Sequence, residues 1–571
     1  MSKFPLGYKK IDKISLEDLE KSYTNKYPQD ESIYAPFHIE YLQIYNPLYS
    51  QIFELTPKNY NSISLNHKYF LLDLDKVYDP TTDTILSKES FIKFSPLLDP
   101  VRYLIGKYPE KEDVPKVTEL PSIDKEVHPK LANMNNASYI DNFFCYLSSQ
   151  LIHHNGLING IDYYGSFLGI QEKYKMNIAD DFEYLNQSDF FLKNRNTLYE
   201  IDEIDDPFSN FGSRCNKNRL DIHNQSEVSH ISIEELDVDM EDPLKEEEGE
   251  NSKELLYEKE DINQDSSDDE SNNSEQNYTT DEDDNEADNG VEYEESDEES
   301  DEESDEEESD EEENSSDESS EETFIFAYIK NFPIQMICLE KCQGTIDSLF
   351  SRGEIDDING AAALFQIIMT LIAYQKAFHF THNDLHTNNI VYIETEEEFI
   401  YYKFNQTIYK VPTYGKIFKI IDFGRAIYKL NGKIYCSDSF DNGGDASTQY
   451  NCEPFFNEKK PRLEPNYSFD LCRLGCSIYD FILDEFIDED EEIDEFQRTI
   501  IRWCSDDNGK NVLYKKNGDE RYPNFKLYKM IARTVNHHVP SEQLKDPYFS
   551  QFSCQETPDS VIDIDALPCF V

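Results

Sequence analysis

A short run from Thr381 to Ile390, THNDLHTNNI, places His382, Asp384, His386 and Asn389 within eight residues, and KIIDFGRA later adds Asp422, Phe423 and Gly424. The side-chain types suggest a definite chemistry. A carboxylate (Asp422) and an amide oxygen (Asn389) are hard donors of the kind Mg²⁺ takes, usually alongside substrate phosphates and water. A second carboxylate, Asp384, can accept a proton from an attacking hydroxyl. Transfer of a highly charged group needs little beyond such positioning and neutralisation of charge.

The order H-x-D-L-x-x-x-N followed by D-F-G resembles the catalytic and metal-binding loops of the protein kinase superfamily. The resemblance implies ATP and Mg²⁺ as cofactors, Asp384 as the catalytic base, and Asn389 and Asp422 as metal ligands. His386 stands where Ser/Thr kinases carry lysine and is a catalytic candidate able to donate to a phosphate oxygen. The D-L-H triplet is shared with haspin-like and several small-molecule kinases. Asn383 replaces the usual arginine of the loop, which often pairs with an activation-loop phosphate, so activity independent of such phosphorylation is expected.

Elements able to hold these groups can be read on both sides. Ala361–Phe380 is an apolar helical run leading into the loop, and residues 393–418 alternate as a lengthened β-hairpin. NASYIDNFFCYLSSQLI has a helical period, and IDYYGSFLGI and FPIQMICLE read as strands. Within the resemblance, Lys93 in ESFIKFSPLLDP is the phosphate-contacting lysine, Asp141 is its acidic helix partner, and Glu340 to Cys342 is the hinge where backbone groups would meet adenine. Asp470 and Gly475 match D-x-x-x-x-G, the aspartate accepting backbone N–H bonds from the catalytic loop. Glu453 or Glu464 stands for the A-P-E glutamate. No glycine occurs between Gly7 and Gly106, so the glycine-rich phosphate loop is absent.

The fold expected is α+β: a bilobal, kinase-like arrangement with a small β-rich lobe and a mainly helical one. Its parts are an N-terminal extension (1–60), the first part of the small lobe (61–202), a disordered acidic insertion (203–322), the last strand and hinge (323–340), the large lobe (341–552) and a tail (553–571). The formal net charge of −66 comes mostly from the insertion, whose EESDEESDEE repeat buries too little apolar surface to fold. Ser296, Ser300, Ser304 and Ser309 are each followed by Asp-Glu-Glu, an acid-directed phosphorylation pattern. The segment reads as a solvated spacer, with a lure for basic proteins as the sharper reading.

This charge argues against nucleic-acid binding. The 11 cysteines form no C-x-x-C pair, which fits a reducing compartment. The N-terminus has no secretory signal pattern and no run spans a bilayer. These features suggest a soluble intracellular protein with no membrane or nucleic-acid partner. The whole resembles the divergent Ser/Thr kinases of large DNA viruses, which implies host cytoplasm or virion, ATP, and protein substrates with Ser/Thr acceptors, basic proteins among the candidates. Two other readings stay open: a pseudokinase scaffold and a small-molecule kinase.

Overall fold

Two 15-residue strands, Tyr163–Asn177 and Phe326–Glu340, form the spine of the main sheet in the computed structural model. They pair antiparallel, with Ile39–Gln43 beside the first and Ser90–Pro96 beside the second. Tyr199–Ile201 adds a short fifth strand. Nearly every residue of Tyr163–Gln171 and Phe332–Leu339 is buried, as expected for strands covered on both faces. The stretch read as an N-terminal extension therefore supplies a sheet strand. In this register Lys93 lies opposite Ile337.

The structure describes residues 4–11, 14–28, 34–108, 119–201, 324–483, 493–515, 518–556, 558 and 560–571. The acidic segment read at 203–322, with Ser296, Ser300, Ser304 and Ser309, lies outside them. The described residues make a mixed α+β unit with several separate sheets.

Helix Ala137–Asn155 carries Asp141. It starts at Asn136, whose side chain accepts from Ser138 N–H at 3.0 Å, and ends at Gly156, where φ of +71° suits glycine. Ser138 ties the helix to the lysine strand by donating to Pro96 O at 2.6 Å and meeting Ser95 Oγ at 2.8 Å. Asn136 Nδ2 donates to Leu97 O at 2.8 Å. These bonds fix where along the strand the helix begins.

Helix Asp357–Phe378 opens with a capping box, Asp356 and Asn359 each accepting a backbone N–H of the other's end. It is apolar all round because it is a core helix. By length and composition it could cross a membrane, but 94% of its apolar window is buried inside the protein. It stops at His379, in left-handed conformation, and the chain then enters the THNDLHTNNI loop. After the loop, Ile390–Glu394 pairs with Lys416–Ile420. Between them Phe399–Phe404 and Thr407–Pro412 form the hairpin, closed at Asn405 and Gln406, both with positive φ. Ser553–Cys554 and Ile562–Asp563 pair onto that hairpin, so the tail is part of the sheet.

Candidate active site

The Lys93 ammonium lies 2.7 Å from Asp141 Oδ2 and 2.8 Å from Asp422 Oδ1. Burial opposes its charge, but the two carboxylates outweigh burial and raise its pKa. Asp141 is buried, and its other oxygen accepts Phe423 N–H at 2.8 Å. One carboxylate thus joins the lysine strand to the D-F-G loop. Partial desolvation disfavours the Asp422 carboxylate, which is 46% exposed, yet Lys93 pulls its pKa below the usual range. Its φ of +63° is left-handed, a strained conformation that Asp tolerates better than most residues.

The catalytic-type loop hangs from Asp470, on helix Phe469–Ile482. Its carboxylate accepts His382 N–H at 2.9 Å and Asn383 N–H at 2.8 Å. Asn383 also has a left-handed φ, of +65°. Its amide explains why an asparagine stands there: Nδ2 donates to Thr381 O and to Arg425 O at 3.0 Å, and Oδ1 accepts from Tyr450 Oη at 2.9 Å. His382 Nε2 meets Ile421 O at 2.9 Å, tying this loop to the D-F-G strand. Phe423 packs among Phe144, Phe380 and the His382 ring, with centroids 4.6, 5.9 and 5.7 Å away. This aromatic cluster joins helix Ala137–Asn155 to both loops.

Asn389 Nδ2 donates to Asp384 O at 2.9 Å and meets His386 Nε2 at 3.1 Å. Its nitrogen is committed, which leaves Oδ1 as the group to meet a cation. Asp422 uses Oδ1 for Lys93 and keeps Oδ2. A carboxylate and an amide oxygen fit Mg²⁺, which completes its shell with phosphates and water. Among the described residues, no three His, Cys, Asp or Glu side chains gather as a protein-only metal cage. Burial pushes the His386 imidazole down to about 4, against the pull of Asp384. The ring is neutral at physiological pH, and its buried Nδ1 has no hydrogen-bond partner among the described residues.

Asp384 sits in a cationic surround. Oδ1 accepts from Tyr528 Oη at 2.7 Å, and Oδ2 lies 3.6 Å from Arg425 Nη1. Burial works against its charge, but Arg425 foremost, with Arg473 and the Tyr528 hydroxyl, holds the carboxyl down to about 2. Arg425 Nη2 also meets Asp445 at 2.5 Å. Asp445 belongs to the segment after D-F-G, as does Asp438. Asp438 is buried and binds Lys130 Nζ at 2.6 Å, Asn133 Nδ2 at 3.2 Å and Ala137 N–H at 3.2 Å. The last is the first residue of the helix carrying Asp141, where negative charge is favourable. Side-chain carboxylates hold this segment in place.

The structure gathers Lys93, Asp141 and Asp422 in one ion-paired cluster and Asp384, His386 and Asn389 in a second group, with Ile421 N–H, beside Asp422, donating to Asn389 O at 3.0 Å. Glu340 is tied into the fold by its N–H and its side chain. Its N–H donates to Asp162 O at 3.0 Å, while its carboxylate accepts from Asp162 N–H at 2.8 Å and pairs with buried Lys419 at 2.6 Å. Both groups are consumed inside the fold. Cys342 is half-buried, and burial pushes its thiol up to about 12, so it is an unreactive neutral group. Phe70–Asp73 and Lys76–Asp79 pair through a tight turn whose Asp73 and Asp75 sit beside Lys76. Glu453 and Glu464 both pair with Arg462.

No known protein-family profile matches this chain, and no curated protein matches it either. Sequence reasoning missed Tyr528, Arg473, Arg425, Asp438 and Asp445 as site residues. Of these only Arg425 carried a signal, its place right after D-F-G.

Two outcomes are expected. Asp438→Ala frees the start of helix Ala137–Asn155 and costs about 1–3 kcal/mol, measured by denaturant unfolding, with faster amide exchange at residues 137–141; unchanged exchange there contradicts the clamp. In an ¹⁵N NMR titration, His386 protonates with a midpoint of about 4, and a midpoint near the ordinary value of roughly 6.5 contradicts its burial. The sign follows from that depression: its share of stability is whole above the unfolded value and is lost as pH falls toward the folded one.

Proposed function

We propose that this chain is an ATP- and Mg²⁺-dependent protein kinase that transfers the γ-phosphoryl group to serine or threonine hydroxyls. The observation that carries the reading is the convergence of Lys93, Asp141 and Asp422 on one ion-paired cluster, with Ile421 N–H, beside Asp422, donating to Asn389 O at 3.0 Å and the Asn389 amide donating to Asp384 O at 2.9 Å. The bilobal kinase arrangement is part of the same proposal, as is the kinship with the kinases of large DNA viruses. The expected setting is intracellular, with basic proteins among the candidate substrates.

In this reading the chain's own groups divide the work. Lys93 presents its ammonium to the nucleotide phosphates, held on station by Asp141. Asp422 and Asn389 hold Mg²⁺, which neutralises phosphate charge when bound. Asp384 accepts the proton of the acceptor hydroxyl as the new O–P bond forms and the bond to the β-phosphate oxygen breaks. Its depressed pKa keeps it ionised and ready throughout the physiological range. The neutral His386 holds Asn389 in orientation. Asp438, paired with Lys130, and Asp445, paired with Arg425, already pin the segment after D-F-G without a phosphate. Ser437 is buried there, while Ser439, Ser447 and Thr448 are more open.

A scaffold reading is favoured by one observation, the lack of any glycine between Gly7 and Gly106, which removes the backbone that would approach the phosphates closely. Retention of Lys93, Asp384, Asn389 and Asp422 together supports chemistry.

With Mg-ATP and a generic basic protein substrate, the wild type is expected to yield phosphoserine or phosphothreonine. Asp384→Asn lowers the rate by about 100-fold or more. Phosphate incorporation equal in wild type and Asp384→Asn contradicts the proposal, as does none in either. Replacing Ser439, Ser447 and Thr448 together by alanine leaves the rate within about twofold, and a collapse contradicts phosphorylation-independent activity.

A further inference from the structure

Tyr528 belongs to no motif, yet its hydroxyl touches the carboxylate on which the proposed reaction turns. It lies on helix Lys526–Thr534, 144 residues from Asp384. Its ring is held from several sides: Phe525 stacks on it with centroids 5.3 Å apart, and Arg473 and Arg425 lie 5.2 and 5.6 Å from its centroid. Arg473 Nε donates to Tyr528 Oη at 2.9 Å. Because a guanidinium can only donate, the phenol oxygen is the acceptor there and its single proton is directed elsewhere. It goes to Asp384 Oδ1, at 2.7 Å.

This relay makes the two oxygens of Asp384 unequal. Oδ1 is occupied by a strong, charge-assisted hydrogen bond. Among the described residues, Oδ2 meets Arg425 Nη1 at 3.6 Å, which is too long for a good hydrogen bond. The Asp384 side chain is 25% exposed, so a ligand can approach it. A carboxylate free to rotate would present either oxygen, and a base acts well only when its geometry is fixed before the reaction.

We propose that Tyr528, oriented by Arg473, is a positioning residue that locks the Asp384 carboxylate and reserves Oδ2 to receive the acceptor proton. The inference rests on the kinase reading. It adds a helix far along the chain to the machinery, and it makes the phenol a fixed support for the base rather than a plug over it.

The test compares wild type, Tyr528→Phe, Arg473→Gln and the double variant in steady-state transfer with Mg-ATP and a basic protein substrate, alongside thermal melts. Tyr528→Phe keeps the ring and loses only the hydroxyl. Its kcat is expected to fall about tenfold, the worth of one hydrogen bond to a charged group, with the KM for ATP unchanged and the fold intact. Arg473→Gln lowers kcat in the same direction. The double variant is no slower than the slower single variant, because both act through one relay. A kcat for Tyr528→Phe equal to or above wild type overturns the proposal, the latter marking Tyr528 as an obstruction. Losses that multiply in the double variant, or that follow a drop in melting temperature, overturn it in favour of packing. An active wild type with inactive Asp384→Asn and unaffected Tyr528→Phe refutes only this inference. A wild type without transfer activity overturns the kinase reading and this with it.

Discussion

One half-buried ammonium organises the site. Lys93 comes from a sheet strand, Asp141 from a helix and Asp422 from a loop, and all three meet at its charge. Asp141 is the buried partner, and leaving a buried charge uncompensated typically costs about 3–5 kcal/mol. The cluster therefore acts as a coincidence requirement on the fold. Asp141 strengthens it by also accepting the Phe423 N–H, so a shift of the helix breaks the lysine contact and the loop contact at once.

The rest of the structure serves that arrangement. Asn136 and Ser138 set the height of the helix against the strand, and Asp438 clamps its first turn from the opposite side. Asp438 carries a cost, since burial raises its carboxyl pKa despite Lys130. Its value is placement. Asp470 anchors the loop bearing Asp384 by two backbone N–H groups, at a point where Asn383 adopts a left-handed conformation. Such strain persists only where neighbouring bonds over-determine it, and the Asn383 amide, bonded to Thr381, Arg425 and Tyr450, supplies those bonds.

Much of this was legible where local pattern and local structure coincide. Helix Ala137–Asn155 and the hairpin followed from periodicities of 3.6 and 2, and the core helix from its long apolar run. Lys93, Asp141, Asp384, Asn389 and Asp422 could be picked out because each lies within a local run. The placement of the Glu340 side chain was not legible: a residue at a strand end gives no sign of whether its carboxylate faces solvent or an interior lysine, and Lys419, 79 residues away, takes it. Asp438 and Tyr528 were illegible for the same reason. Each matters only through a partner hundreds of residues off or beyond a loop, and a lone Asp or Tyr carries no mark of such a contact.

The central claim is that the Lys93 cluster exists to hold a metal-bound nucleotide. Calorimetric titration of ATP with and without Mg²⁺ into wild type, Asp422→Asn and Asp384→Asn tests it most directly. The account predicts binding that requires Mg²⁺, weakened in Asp422→Asn and retained in Asp384→Asn. Absence of ATP binding by the wild type, or binding indifferent to both metal and Asp422, would contradict it.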